Sequence, residues 1–134
     1  MNGNETLPQR PTILIVDDTP QNLSLMSDLL HEHYTVKLAP SGERALKIVT
    51  ANSLDLILLD IMMPVMDGFE VCRRLKSDPA CNDIPVIFVS SLSDIENKKA
   101  GLAIGAVDYI TKPIDPDTFL ACVRRHLPLR LATS

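Results

Sequence analysis

Hydrophobic residues in this chain fall into two kinds of stretch. Short, nearly unbroken runs rich in branched side chains occupy Thr12 to Val16, Tyr34 to Ala39, Asp55 to Leu59, Ile84 to Val89 and Val107 to Ile110. Between them apolar residues recur every three or four positions, the period of one helix face. The first such segment aligns Leu23, Met26, Leu29 and Leu30, and the second, from Ser41, aligns Ala45, Leu46, Ile48 and Val49. The third carries Phe69, Cys72 and Leu75, the fourth Ile95, Leu102 and Ala103, and the fifth Phe119, Leu120, Val123 and Leu127. Thr19-Pro20 and Asp115-Pro116 each set a capping side chain before a proline at the first helical position. Ser93-Asp94-Ile95-Glu96 forms a capping box, and Asp67-Gly68 can open the third helix. Strand and helix thus alternate five times. The continuous apolar runs of strands one, three and four suit a parallel sheet covered on both faces. The pattern predicts an α/β, doubly wound (βα)5 domain of three layers over residues 12–127. Residues 1–11 read as a flexible leader and 128–134 as a tail or the start of a linker.

Composition narrows this picture. A length of 134 residues suits one domain, and 46% hydrophobic residues supply a core. The net charge is -4, with Lys and Arg scattered, which argues against nucleic-acid contacts and a polybasic membrane anchor. No apolar run reaches the length of a membrane span, and Met1 to Pro11 lacks the apolar stretch of a signal peptide, so a cytoplasmic protein is expected. Cys72, Cys81 and Cys122 are odd in number and lack CxxC spacing, which indicates neither a disulfide framework nor a zinc site. Cys72 and Cys122 fall in apolar helical patterns and read as core residues. His31, His33 and His126 read as surface residues at helix ends, not as ligands or phosphodonors.

The chemistry lies in the polar residues just past each strand. Strand one ends in Asp17-Asp18, strand three in Asp60, strand four in Ser90-Ser91, and strand five runs into Thr111-Lys112-Pro113. In open parallel sheets ligands bind beyond the carboxyl ends of the strands. If strand two is an edge, three carboxylates, a hydroxyl and an ammonium meet there. Singly, each has an ordinary reading: Asp17 or Asp18 as a helix cap, Asp60 as a turn residue, Ser90 as a local turn, Lys112 as a loop lysine. Together, three carboxylates repel one another, and a hard divalent cation such as Mg²⁺, bound through oxygen, resolves the conflict. Asp60 could then attack a phosphoryl group whose oxygens are neutralised by Mg²⁺, the Lys112 ammonium and the Ser90 hydroxyl.

These residues resemble the receiver domain of two-component response regulators. The likeness rests on Ile15-Val16-Asp17-Asp18, Leu58 to Gly68 around Asp60, Pro85 to Ser91, and Gly105 to Pro113. It implies the flavodoxin-like receiver fold, with a five-stranded parallel sheet in the order 2-1-3-4-5 and helices on both faces. It also implies that Asp60 accepts a phosphoryl group from a histidine kinase or a histidine phosphotransfer protein. Asp18, Asp60 and the backbone carbonyl of Met62 would hold Mg²⁺, or Mn²⁺ in its place, with Asp17 acting through water. Lys112 would contact the phosphoryl group, while Ser90 and Tyr109 would form the switch. Met62 and Leu92 would flank the path of a hydrolytic water, and both are apolar, so slow self-hydrolysis is expected. The switch would reshape the face of the fourth helix, fifth strand and fifth helix to control an output domain or downstream protein. Lys98, Lys99, Arg124 and Arg125 would either join acidic residues such as Asp108 in a homodimer there or stand as a solvated surface. In this reading the chain catalyses only its own phosphorylation and dephosphorylation, and any enzymatic output lies in another domain.

Two other classes compete. A Mg²⁺-dependent phosphatase or phosphotransferase acting on small molecules would resemble the haloacid dehalogenases, whose two aspartates are separated by one residue. Asp17 and Asp18 are adjacent, and neither a GxxxxGK[ST] loop nor a glycine-rich dinucleotide loop is present. A phosphorylation-independent docking module is the other class; nothing in the residues favours it.

Overall fold

The computed structural model describes residues 10–91 and 105–127. Within them lie β1 (Thr12–Val16), α1 (Pro20–Leu30), β2 (Thr35–Ala39), α2 (Gly42–Ala51), β3 (Leu56–Leu59), α3 (Gly68–Lys76), β4 (Val86–Ser91), β5 (Asp108–Lys112) and a C-terminal helix, α4 (Pro116–His126). The fourth helix expected from the Ser93 capping box, with Leu92, Lys98 and Lys99, lies outside the described residues. So do most of the leader and the tail.

All four strand pairings are parallel, and the order is β2-β1-β3-β4-β5. Every residue of β3 is buried, as is β1 after Thr12, whereas the edge strands β2 and β5 are partly exposed. That contrast is why the central strands carry no polar residue until they end. Side chains alternate across the sheet, so each strand feeds two separate cores. On one side Leu14, Val16, Ile57, Leu59, Val86 and Phe88 meet α2 and α3. On the other, Ile13, Ile15, Leu56, Leu58, Ile87 and Val89 meet α1 and α4. Burying side chains of this size stabilises the fold by about 1.5–3 kcal/mol each.

Beyond shifts of one or two residues at the strand starts, two strand ends and one helix cap depart from the expectation. β4 runs on through Ser91 and β5 through Lys112, because Ser90 pairs with Thr111 and Ser91 with Lys112. The polar residues expected after these strands are therefore fixed by the ladder itself. Thr19 precedes α1 with an extended backbone, but its side chain makes no capping bond; its N–H instead donates to Asp17 Oδ1 at 2.9 Å. The caps expected at Asp67 and Asp115 form, and Ser41 caps α2 in the same way, each accepting from the backbone N–H three residues on.

Candidate functional site

Strands β1 and β3 are adjacent, so their carboxyl ends bring Asp17, Asp18 and Asp60 to one place. One oxygen from each lies within 4.8 Å of the others. Asp17 is fully buried, Asp60 is 5% exposed and Asp18 is exposed, so the cluster opens to solvent on the Asp18 side. Asp17 Oδ1 accepts from Thr19 N–H and more distantly from Asn22 Nδ2, at 3.5 Å. Its Oδ2 accepts from Lys112 Nζ at 2.7 Å. Lys112 Nζ also lies 3.5 Å from Asp60 Oδ2, and Ser90 Oγ donates to Asp60 Oδ1 at 3.2 Å. The lysine thus bridges two carboxylates and sits closer to Asp17 than to Asp60. The sequence sets Lys112 against a phosphoryl group and gives no order between the two carboxylates, since nothing local reports which is nearer.

Burial pushes the Asp60 carboxyl above its usual range; Lys112 opposes this, Asp17 reinforces it, and the Ser90 hydrogen bond opposes it. With all three carboxylates ionised, one ammonium leaves two negative charges, the charge of a single divalent cation. The donors are oxygens, as Mg²⁺ requires, and the exposed Asp18 leaves an approach. The residues fit such an ion. Met62 lies two positions after Asp60 and is 62% exposed.

The loop after Asp60 is shaped by Gly68, which closes the stretch that carries the family resemblance, and by Val65. A Cβ on Gly68 would lie 2.2 Å from the Asp60 carbonyl oxygen, and Gly68 N–H donates to the Ile61 carbonyl at 2.7 Å. The start of α3 therefore rests directly on the backbone of Asp60. Asp-Gly is legible as a helix opening, but this contact across the loop has no local signal. At the loop's tip Val65 is 94% exposed and has φ 71°, a left-handed conformation unfavourable for a β-branched residue.

Tyr109 is half-buried against the α2–α3 core and pairs with Phe88, two places before Ser90. Tyr109 is the second residue of β5, on the same sheet face as Ser90, since alternate residues share a face. Cys72, Cys81 and Cys122 are buried, and His31 and His33 are exposed. His126 is not a plain surface residue: its Nε2 lies 2.9 Å from Asp108 Oδ2, where Arg125 Nη1 also arrives at 3.0 Å. Asp108, a candidate for either a homodimer face or a solvated surface, is engaged by its own chain.

Comparison with known proteins agrees with this fold. Residues 13–124 match the family described as the response regulator receiver domain. A probable cyclic di-GMP phosphodiesterase of Vibrio cholerae is 45% identical over 116 residues, covering 87% of this chain and 26% of the relative. Response regulator PleD of Caulobacter vibrioides is 45% identical over 113 residues, covering 84% and 25%. The chain therefore spans about a quarter of the length of these two relatives. Among solved structures, the chemotaxis protein CheY4 of Vibrio cholerae superposes with a TM-score of 0.83 at 30% identity, over 88% of this chain and 99% of that one. Among the described residues no helix is long and apolar enough to cross a membrane.

Proposed function

Because the chain belongs to the response regulator receiver family, we propose that Asp60 is its phosphoacceptor and that Lys112 and Ser90 hold the transferred group. The observation carrying this reading is that Asp60, buried beyond β3, is met by Ser90 Oγ on one oxygen and Lys112 Nζ on the other. A carboxylate oxygen attacks the phosphorus of a phosphohistidine; the oxygen–phosphorus bond forms as the phosphorus–nitrogen bond breaks, and the imidazole leaves. No general base is needed, since the ionised carboxylate is already the nucleophile. Asp18, Asp60 and the Met62 carbonyl would hold Mg²⁺, with Asp17 behind them, and the ion would neutralise charge on one phosphoryl oxygen. Lys112 and Ser90 take the others, each moving from its present carboxylate partner by a short rotation. Ser90 drawn inward alters the sheet face it shares with Tyr109, which links the site to the surface around β5 and α4.

The donor in this reading is a histidine kinase or phosphotransfer protein, and the response passes to an attached domain or separate partner. One relative is named a probable cyclic di-GMP phosphodiesterase; an activity of that kind here would lie outside these residues. The test is intact mass after incubation with acetyl phosphate and Mg²⁺. One added phosphoryl group, absent from Asp60→Asn and after chelation, is the expected result. An adduct that persists in Asp60→Asn would place the acceptor elsewhere, and no adduct in the unaltered chain would favour the docking module.

A further inference from the structure

A second cluster of ligating groups stands on β5 and α4, away from the carboxylate site. One atom each from Asp108, Cys122 and His126 lies within 4.8 Å of the others. Cys122 and His126 are four residues apart on α4, which sets both side chains on one helix face. Asp108, at the start of β5, meets that face. Its Oδ1 accepts from the Tyr109 backbone N–H at 2.8 Å, which holds the carboxylate and turns Oδ2 toward the helix. Three side chains then converge on that single oxygen: His126 Nε2 at 2.9 Å, Arg125 Nη1 at 3.0 Å and Cys122 Sγ at 3.5 Å.

From this arrangement we propose that Asp108, Cys122 and His126 form a three-ligand site for a zinc-class divalent cation. One thiolate, one imidazole nitrogen and one carboxylate oxygen form the mixed donor set that Zn²⁺ accepts and Mg²⁺ does not. Tetrahedral Zn²⁺, with ligand bonds of about 2.0–2.3 Å, sets its ligand atoms roughly 3.3–3.7 Å apart. The separations of 2.9 and 3.5 Å need only a small expansion. The Tyr109 N–H already orients the carboxylate, as hydrogen bonds to metal ligands commonly do. Cys122 is buried, while the Asp108 and His126 side chains are 22% and 21% exposed, which leaves an approach and room for a water as fourth ligand. Arg125, whose side chain is 65% exposed, can turn to solvent as the cation takes its place. Binding releases the Cys122 thiol proton to solvent, and the proton between His126 Nε2 and Asp108 Oδ2 leaves that nitrogen, for Nδ1 in a neutral ring or for solvent in a charged one. Thiolate and carboxylate together neutralise the ion. The cysteine count and spacing gave no hint of this, because the third ligand comes from another element.

The test uses the whole chain, reduced and stripped of metal, in excess Mg²⁺ to fill the carboxylate site. Co²⁺ serves as the spectroscopic probe and Zn²⁺ as its competitor. The expected result is one equivalent bound with a thiolate-to-cobalt charge-transfer band that Zn²⁺ abolishes. Cys122→Ser should remove the band, and His126→Gln should weaken Zn²⁺ binding by at least about tenfold. Cys72→Ser and Asp60→Asn should leave both unchanged. His126 is partly exposed, so its variant keeps the test open if Cys122→Ser fails to fold. Absence of the band in the unaltered chain overturns the proposal, as does Zn²⁺ binding that is undiminished in His126→Gln or disappears with Asp60→Asn.

Discussion

Asp60→Asn should make the metal-free protein more stable. The substitution keeps shape and leaves an oxygen to accept from Ser90 Oγ, so the charge is what changes. Lys112 at 3.5 Å attracts the carboxylate by about 5 kcal/mol at an effective dielectric constant of ~20. Asp17, within 4.8 Å, repels it by at least about 3 kcal/mol on the same basis, and the exposed Asp18 adds a smaller repulsion. These contributions nearly cancel. What remains is the cost of holding a charge at 5% exposure, several kcal/mol before relaxation. Lys112 keeps its nearer partner, Asp17 at 2.7 Å, so the variant orphans no cation. The net gain is about 2 kcal/mol, or roughly 6–10 °C in Tm for a domain of this size. The sign in pH comes from burial raising the Asp60 pKa above its usual 3.8. The folded chain keeps this proton to higher pH than the unfolded chain, so the contribution is complete below the usual value and lost as pH rises through the folded one. Calorimetry with chelator, from acid to neutral pH, should show the variant's advantage growing over that window, and saturating Mg²⁺ should shrink it. A variant less stable than the parent at neutral pH in chelator would refute the charge-burial argument. So would an advantage that Mg²⁺ leaves untouched.

Other perturbations separate the remaining elements of the site. Lys112→Met leaves the fully buried Asp17 without its cation and should cost about 2–3 kcal/mol in urea unfolding, less with Mg²⁺ present; an equal loss with and without the ion would contradict this. Gly68→Ala drives a Cβ into the Asp60 carbonyl and should cost about 2 kcal/mol while slowing acetyl-phosphate labelling, so a variant labelled at the parental rate would show that the loop yields freely. Val65→Asn relieves a left-handed β-branched residue at an exposed tip and should stabilise by about 1 kcal/mol, measured as a higher urea midpoint. Ser90→Ala should still take up the phosphoryl group, yet lose the phosphorylation-dependent chemical-shift changes around Tyr109; retention of those changes would break the proposed coupling.

The fold was legible because its central strands leave little choice. Leu56 to Leu59 has no polar residue to turn toward water, so it had to be covered on both faces. Asp17, Asp60 and Ser90 stood out as the first polar residues after such runs. What stayed hidden depends on distances between elements. The preference of Lys112 for Asp17, the seat of Gly68 on Asp60 and the meeting of Asp108 with His126 all join residues on different elements or across a loop. Thr19 also departs from its local pattern: its side chain makes no cap, and its backbone N–H donates to Asp17 Oδ1.

The sheet also works as a partition. Its two cores share backbone but no side chain, so each compartment can be reshaped without the other sensing a change in volume. Substitutions in Val71 or Leu75 on one side and Phe119 or Val123 on the other should act additively in double-mutant cycles, as distant sites do. Lineages could then diversify the helix pairs on the two sides as separate modules. A chimera could take α2 and α3 with their strand partners from one relative and α1 and α4 from another, leaving the crest that carries the acidic residues in register.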